Sequence, residues 1–182
     1  MRKTAVFSAK KLSLIGLAAA ATCILGPLSI PIPVSPVPIT LTNLVILLNI
    51  YILGYHEALT SLFVYLALGI AGLPVFSGFS GGLGKLAGPT GGYLIGFIFL
   101  VLIAGFFIDR FPSSSLFAAL GIILGMTATY GFGTLWLAAQ MDLSLPEALS
   151  IGVLPYLAGD AMKILLATLT GPRLQKRLAQ FQ

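Results

Sequence analysis

The chain has 182 residues, of which 58% are hydrophobic and only 8% charged, with a net charge of +5. A soluble domain carries about 25% charged residues, so this composition cannot cover a water-soluble globule and requires lipid as part of its solvent. The length suits one transmembrane domain spanning 1–182, and the basic residues sit mostly at the ends of apolar runs, which fits the positive-inside rule and not nucleic-acid binding.

A spanning helix needs about 20 apolar residues. Six runs qualify, at 12–30, 39–55, 58–73, 91–108, 115–139 and 154–171. The predicted fold is therefore an all-α integral membrane bundle of six transmembrane helices with ordered outer loops. The N-terminal stretch imitates a signal peptide, but its apolar run reaches Ile30, longer than a usual signal core, so a retained first helix is expected. In that helix Gly16 and Ala20 stand four apart, as do Ala18 and Thr22, and Ala19 and Cys23. Such spacing lets another helix approach closely, either within the bundle or from a partner subunit.

The first connection carries prolines at 31, 33, 36 and 38, which exclude helix and predict a stiff extended connector. The second, over 74–92, holds glycines at 78, 81, 82, 84, 88, 91 and 92. It fails the Walker pattern, because Phe79 and Leu86 occupy the required Gly and Ser/Thr positions. Interspersed Pro74, Phe76, Phe79 and Pro89 suit a folded cover better than a flexible linker. Between the second and third runs, His56 and Glu57 fall in a short turn and read as solvated. In the fifth run, Tyr130, Phe132 and Trp136 form either an interfacial aromatic belt or a stacking surface for a flat ring. The last connection holds Asp142 and Glu147.

With the N-terminus in the cytoplasm, six crossings put the C-terminus there too. Arg2, Lys3, Lys10, Lys11, Arg110, Arg173, Lys176 and Arg177 then lie inside and only Lys85 outside, with Lys163 inside a helix. That asymmetry predicts cytoplasmic termini in a multi-pass protein of the cell membrane. One His, one Cys and five acids, scattered, offer no metal site; no cofactor is expected, and no catalytic grouping emerges.

Asp160 and Lys163 are the most informative pair. They stand at i and i+3 and share one helix face. If the helix begins near Pro155, the carboxylate lies roughly 8 Å below its outer end, where a charge must be paired or face a polar cavity. The pair is either a self-neutralising packing element or one wall of a ligand site.

PVPITL at 36–41, GLPVFSG at 72–78, GPTGGYLIGF at 88–97 and GDAMK at 159–163 occur in one order across most of the chain. In this the sequence resembles the BioY family, the biotin-binding S components of energy-coupling factor (ECF) transporters. The resemblance implies a biotin pocket near the outer surface, closed by the first and third loops. It implies substrate contacts from Asp160, Lys163, Ser80, Gly81, Gly82, Tyr93 and Thr42. It also implies that Gly16 and Ala20 face a transmembrane coupling subunit energised by cytoplasmic ATPases. The family often has Gln where Thr42 stands and Asn where Ser80 stands; both side chains here are shorter, so those two contacts would be weaker or water-mediated. The competing functions are an S component for another vitamin, a membrane-embedded enzyme or an assembly factor. Lys163 disfavours cationic thiamine, and the enzyme lacks an acid–base or metal grouping.

Overall fold

The computed structural model describes residues 9–179. Arg2, Lys3 and the C-terminal Gln182 lie outside the described residues. Eight helices and one hairpin follow in order: α1 Ala9–Leu25, β1 Ser29–Ile32, β2 Ser35–Thr40, α2 Thr42–Leu53, α3 Tyr55–Ile70, α4 Leu83–Ala87, α5 Gly91–Arg110, α6 Ser115–Met141, α7 Leu145–Gly152 and α8 Leu157–Ala179. The six expected spans correspond to α1, α2, α3, α5, α6 and α8. Two of them are short for a hydrocarbon core: α2 has 12 residues and α3 has 16. Gly54, at φ 80°, joins these two helices directly, a backbone state that favours glycine.

The structure departs from the sequence reading at the first run and at the proline-rich connector, and it adds an element in the last connection. The first run does not stay helical to Ile30: α1 ends at Leu25 before Gly26-Pro27, and Ser29 and Ile30 belong to a strand. The proline-rich connector is an antiparallel hairpin with Ser29 opposite Thr40 and Ile30 opposite Ile39. Pro33-Val34 forms its turn, where proline pre-sets the first central φ. The ladder is irregular between Ile30 and Ile32, around Pro31, which has no N–H to donate. Finally, the last connection contains α7, because Ser144 and Glu147 form a capping box, the Ser144 N–H and hydroxyl donating to Glu147 Oε2 at 2.9 and 2.6 Å.

The glycine-rich loop is a pinned cover. Phe76 is fully buried and packs edge-on to Tyr65 at 5.5 Å. It fills the space over Gly69, where a Cβ would lie 2.0 Å from its ring. The Gly78 N–H donates to Pro27 O at 3.0 Å, and Trp136 Nε1 donates to Gly88 O at 2.9 Å. At the opposite end, Lys11 pairs with Glu57 at 2.8 Å and Asp109 accepts from the Tyr55 N–H at 3.0 Å. Glu57 is therefore an ion-pair partner between α1 and α3, not a merely solvated side chain.

The α5–α6 contact is close because small residues face large ones. A Cβ on Gly92 would sit 2.3 Å from Trp136 Cβ, and one on Gly133 would sit 2.3 Å from the Tyr93 ring. Thr129 Oγ1 crosses the seam to donate to Gly96 O at 2.9 Å. In α1, Ala18, Ala19 and Thr22 face inward, whereas Gly16 and Ala20 are exposed, with nothing within 4 Å of a Cβ on Gly16. Gly92→Ala should therefore lower stability by about 1–3 kcal/mol through overpacking. Gly16→Ala should not lower it at all. Thermal unfolding of the two variants in detergent checks the contrast.

Candidate functional site

Asp160 and Lys163 meet as their spacing predicts, Nζ to Oδ1 at 2.8 Å. Their depth has a different origin from the one expected. A 3-10 turn, Leu154–Tyr156, precedes α8, so Asp160 lies in the first turn of α8. It is nonetheless only 7% exposed. The hairpin and neighbouring helices cover it.

An ion pair out of water is costly unless its remaining donors and acceptors are filled. Here they are. Lys163 Nζ donates to Thr40 O at 2.6 Å, Asn43 Oδ1 at 3.1 Å and Asp160 Oδ1, which uses all three ammonium protons. Asn43 Nδ2 donates to Asp160 Oδ1 at 2.8 Å, and the Tyr130 hydroxyl donates to Asp160 Oδ2. The network thus joins β2, α2, α6 and α8. Tyr156 adds a second tie to the hairpin, its hydroxyl donating to Val37 O and accepting from the Ser35 hydroxyl at 2.7 Å.

The network forms the polar floor of a cavity of about 80 Å³. Its walls are mostly apolar, with Val37 and Pro38 from the hairpin, Leu94 and Phe97 from α5, and Met126 from α6. Thr42 and Tyr93, both expected at the site, line it and are buried. Tyr93 presents its ring, because its hydroxyl is committed to Gly152 O at 3.0 Å. A small cavity with apolar walls and a few fixed polar groups is the form taken by small-molecule binding sites.

Ser80, Gly81 and Gly82 do not line this cavity. Ser80 sits at an outer recess and donates to Ser77 O at 2.8 Å. Gly81 is packed on the α3 terminus, where a Cβ would lie 2.2 Å from Leu73 O. The Gly82 N–H donates to Gly69 O at 2.7 Å. Two residues central to the network were not expected there. Asn43 reads in sequence as one more residue of an apolar helix start. Tyr130 was expected as belt or stacking surface; its hydroxyl instead serves Asp160. Phe132 and Trp136 do not line the cavity, and Trp136 serves to anchor the cover.

The chain matches the BioY family over residues 1–180. It belongs to the BioY family. The BioY proteins it resembles include the biotin transporter of Thermotoga maritima, 36% identical over 81% of this chain and 86% of that one. A probable biotin transporter of Pyrococcus horikoshii is 35% identical over 92% of this chain and 97% of its own. Among solved structures, the crystal structure of an S-component for biotin from an ECF-type ABC transporter superposes with a TM-score of 0.85. That match has 32% identity and covers 92% of this chain and 91% of the other. The chain is thus a mostly helical, multi-pass member of a transport family, and BioY proteins are transporter components, not enzymes.

If the network is what makes the buried pair tolerable, removing its amide should be felt without ligand. Asn43→Ala leaves Asp160 and Lys163 each one partner short, at a cost of about 1–3 kcal/mol. The melting temperature of ligand-free protein should fall accordingly; an unchanged melt would mean that water replaces the amide.

Proposed function

We propose that this chain captures biotin for uptake, as the substrate-binding subunit of an ECF-type transporter in the cytoplasmic membrane. The observation that carries the proposal is the Asp160–Lys163–Asn43–Tyr130 network at the base of an apolar cavity in a BioY-family chain. Biotin carries a ureido group with two N–H donors and one carbonyl, joined to an apolar thioether ring and a valeryl chain that ends in a carboxylate. Asp160 is placed to accept from a ureido N–H. Lys163 is placed to donate to the carbonyl by exchanging one of its internal partners. Tyr93 and Phe97 supply ring surface against the bicycle. Thr42 contributes one short polar side chain at the wall, while Ser80, Gly81 and Gly82 act in the cover.

The remaining assignments belong to the same proposal. Residues 1–182 form one transmembrane domain. Gly16 and Ala20, exposed on α1, face the transmembrane coupling subunit, and cytoplasmic ATPase subunits supply the energy. Lipid surrounds the outer faces of the helices. Both termini are cytoplasmic, which the distribution of Lys and Arg supports. Reporter fusions at Gln182 and within 80–86 should therefore report opposite sides of the membrane; the same side for both would overturn the six-span arrangement.

The binding role of the pair is tested by a double-mutant cycle on labelled-biotin binding to detergent-purified protein. A hydrogen bond to a charged group is worth about 1.5–3 kcal/mol, or roughly 10- to 150-fold in affinity. Asp160→Asn and Lys163→Met should each weaken biotin binding at least tenfold, and the double variant should remain defective. Near-normal binding by the double variant would mark the pair as packing scaffold, since removing both charges leaves neither buried alone.

A further inference from the structure

The floor cavity, at about 80 Å³, is well below the roughly 300–1,000 Å³ usual for small-molecule sites. A ligand whose polar head reaches Asp160 must therefore extend beyond it. The structure offers a continuation. A second recess of about 400 Å³ shares Pro38 and Ser77 with the floor cavity and opens between the hairpin and the glycine-rich cover. Its walls are Ser29, Ser35 and Pro36 on one side, and Gly78, Ser80 and Lys85 on the other.

Lys85 is the one cationic side chain of this recess. It is half-buried, yet its amine has no hydrogen bond or ion pair among the described residues. Neither acid of the α6–α7 connection lines the recess, and Glu147 is committed to Ser144. Burial pushes the Lys85 amine below its usual pKa, so an anion beside it would restore what desolvation removes. Lys163, by contrast, has all three protons engaged.

We propose that the recess is the carboxylate subsite of the binding site, with Lys85 as the residue that selects an anionic tail while Asp160 and Lys163 hold the ureido head. This inference rests on the biotin assignment. It sets the long axis of the ligand, from the network out past Pro38 and Ser77 to the cover. It also makes the cover part of the recognition surface: Lys85 lies on α4, so an anionic tail ties that short helix to the hairpin.

The test compares biotin with biotin methyl ester as competitors for labelled biotin on the full-length detergent-solubilised protein, its Lys85→Met variant and its Lys85→Arg variant. The native protein should prefer the acid to the ester by about tenfold, the low end for a hydrogen bond to a charged group at a half-exposed site. Lys85→Met should lose that preference by weakening the acid alone, and Lys85→Arg should keep it. An acid preference undiminished in Lys85→Met would overturn the subsite. So would acid and ester weakening equally, which would make Lys85 a support of the cover. Failure of the native protein to bind either compound would instead overturn the biotin assignment itself.

Discussion

Everything at the hairpin end of the molecule depends on keeping one carboxylate and one ammonium group out of water. Their mutual attraction does not cover the desolvation of both unless each remaining donor and acceptor finds a partner. The chain satisfies that condition with groups from four separate elements: a carbonyl at the end of β2, an amide in the first turn of α2, a phenol in α6, and the pair itself in α8. The network is consequently a fastening as well as the floor of the cavity. The hairpin cannot leave the bundle without depriving Lys163 of Thr40 O, and α2 cannot shift against α8 without disturbing Asn43.

The rest of the bundle holds this fastening in register. The close α5–α6 seam fixes Tyr93 and Tyr130 on adjoining walls, with glycines on one helix receiving aromatic side chains from the other. Phe76 plugs the space above Gly69 and fixes the near end of the cover, and Trp136 holds the far end at Gly88. Aromatic residues that could have formed a lipid-facing belt are thus partly spent on order at one end of the bundle. That allocation suits a protein whose chemistry consists of enclosing a ligand.

Much of this was legible in the sequence, and the unread parts have physical reasons. The helical runs are long and apolar, so hydropathy locates them. The Asp160–Lys163 spacing places both side chains on one helix face regardless of where the helix begins. The hairpin was missed because four prolines speak against any ladder; it forms because Pro33 occupies a turn position and the strands are short edges needing few hydrogen bonds. Asn43 and Tyr130 were missed as network members because their partners lie 117 and 30 residues away, a separation that no local period encodes. Ser80, Gly81 and Gly82 stand as substrate contacts by resemblance alone, and a glycine pair reads equally as close approach to a ligand or to backbone; Gly81 and Gly82 lie against α3 and its terminus, whereas Ser80 pairs with Phe76 and lines the outer recess.

The tightness of the floor cavity bears on time as well as on affinity. A ligand that reaches Asp160 must pass between a hairpin tied down by Tyr156 and Lys163 and a cover pinned by Phe76 and Trp136. If capture requires those ties to loosen, entry is slower than diffusion. Escape waits on the same event. A barrier common to entry and escape leaves the equilibrium affinity unchanged and lengthens residence, so a ligand held behind it would stay until something outside the pocket loosened the hairpin.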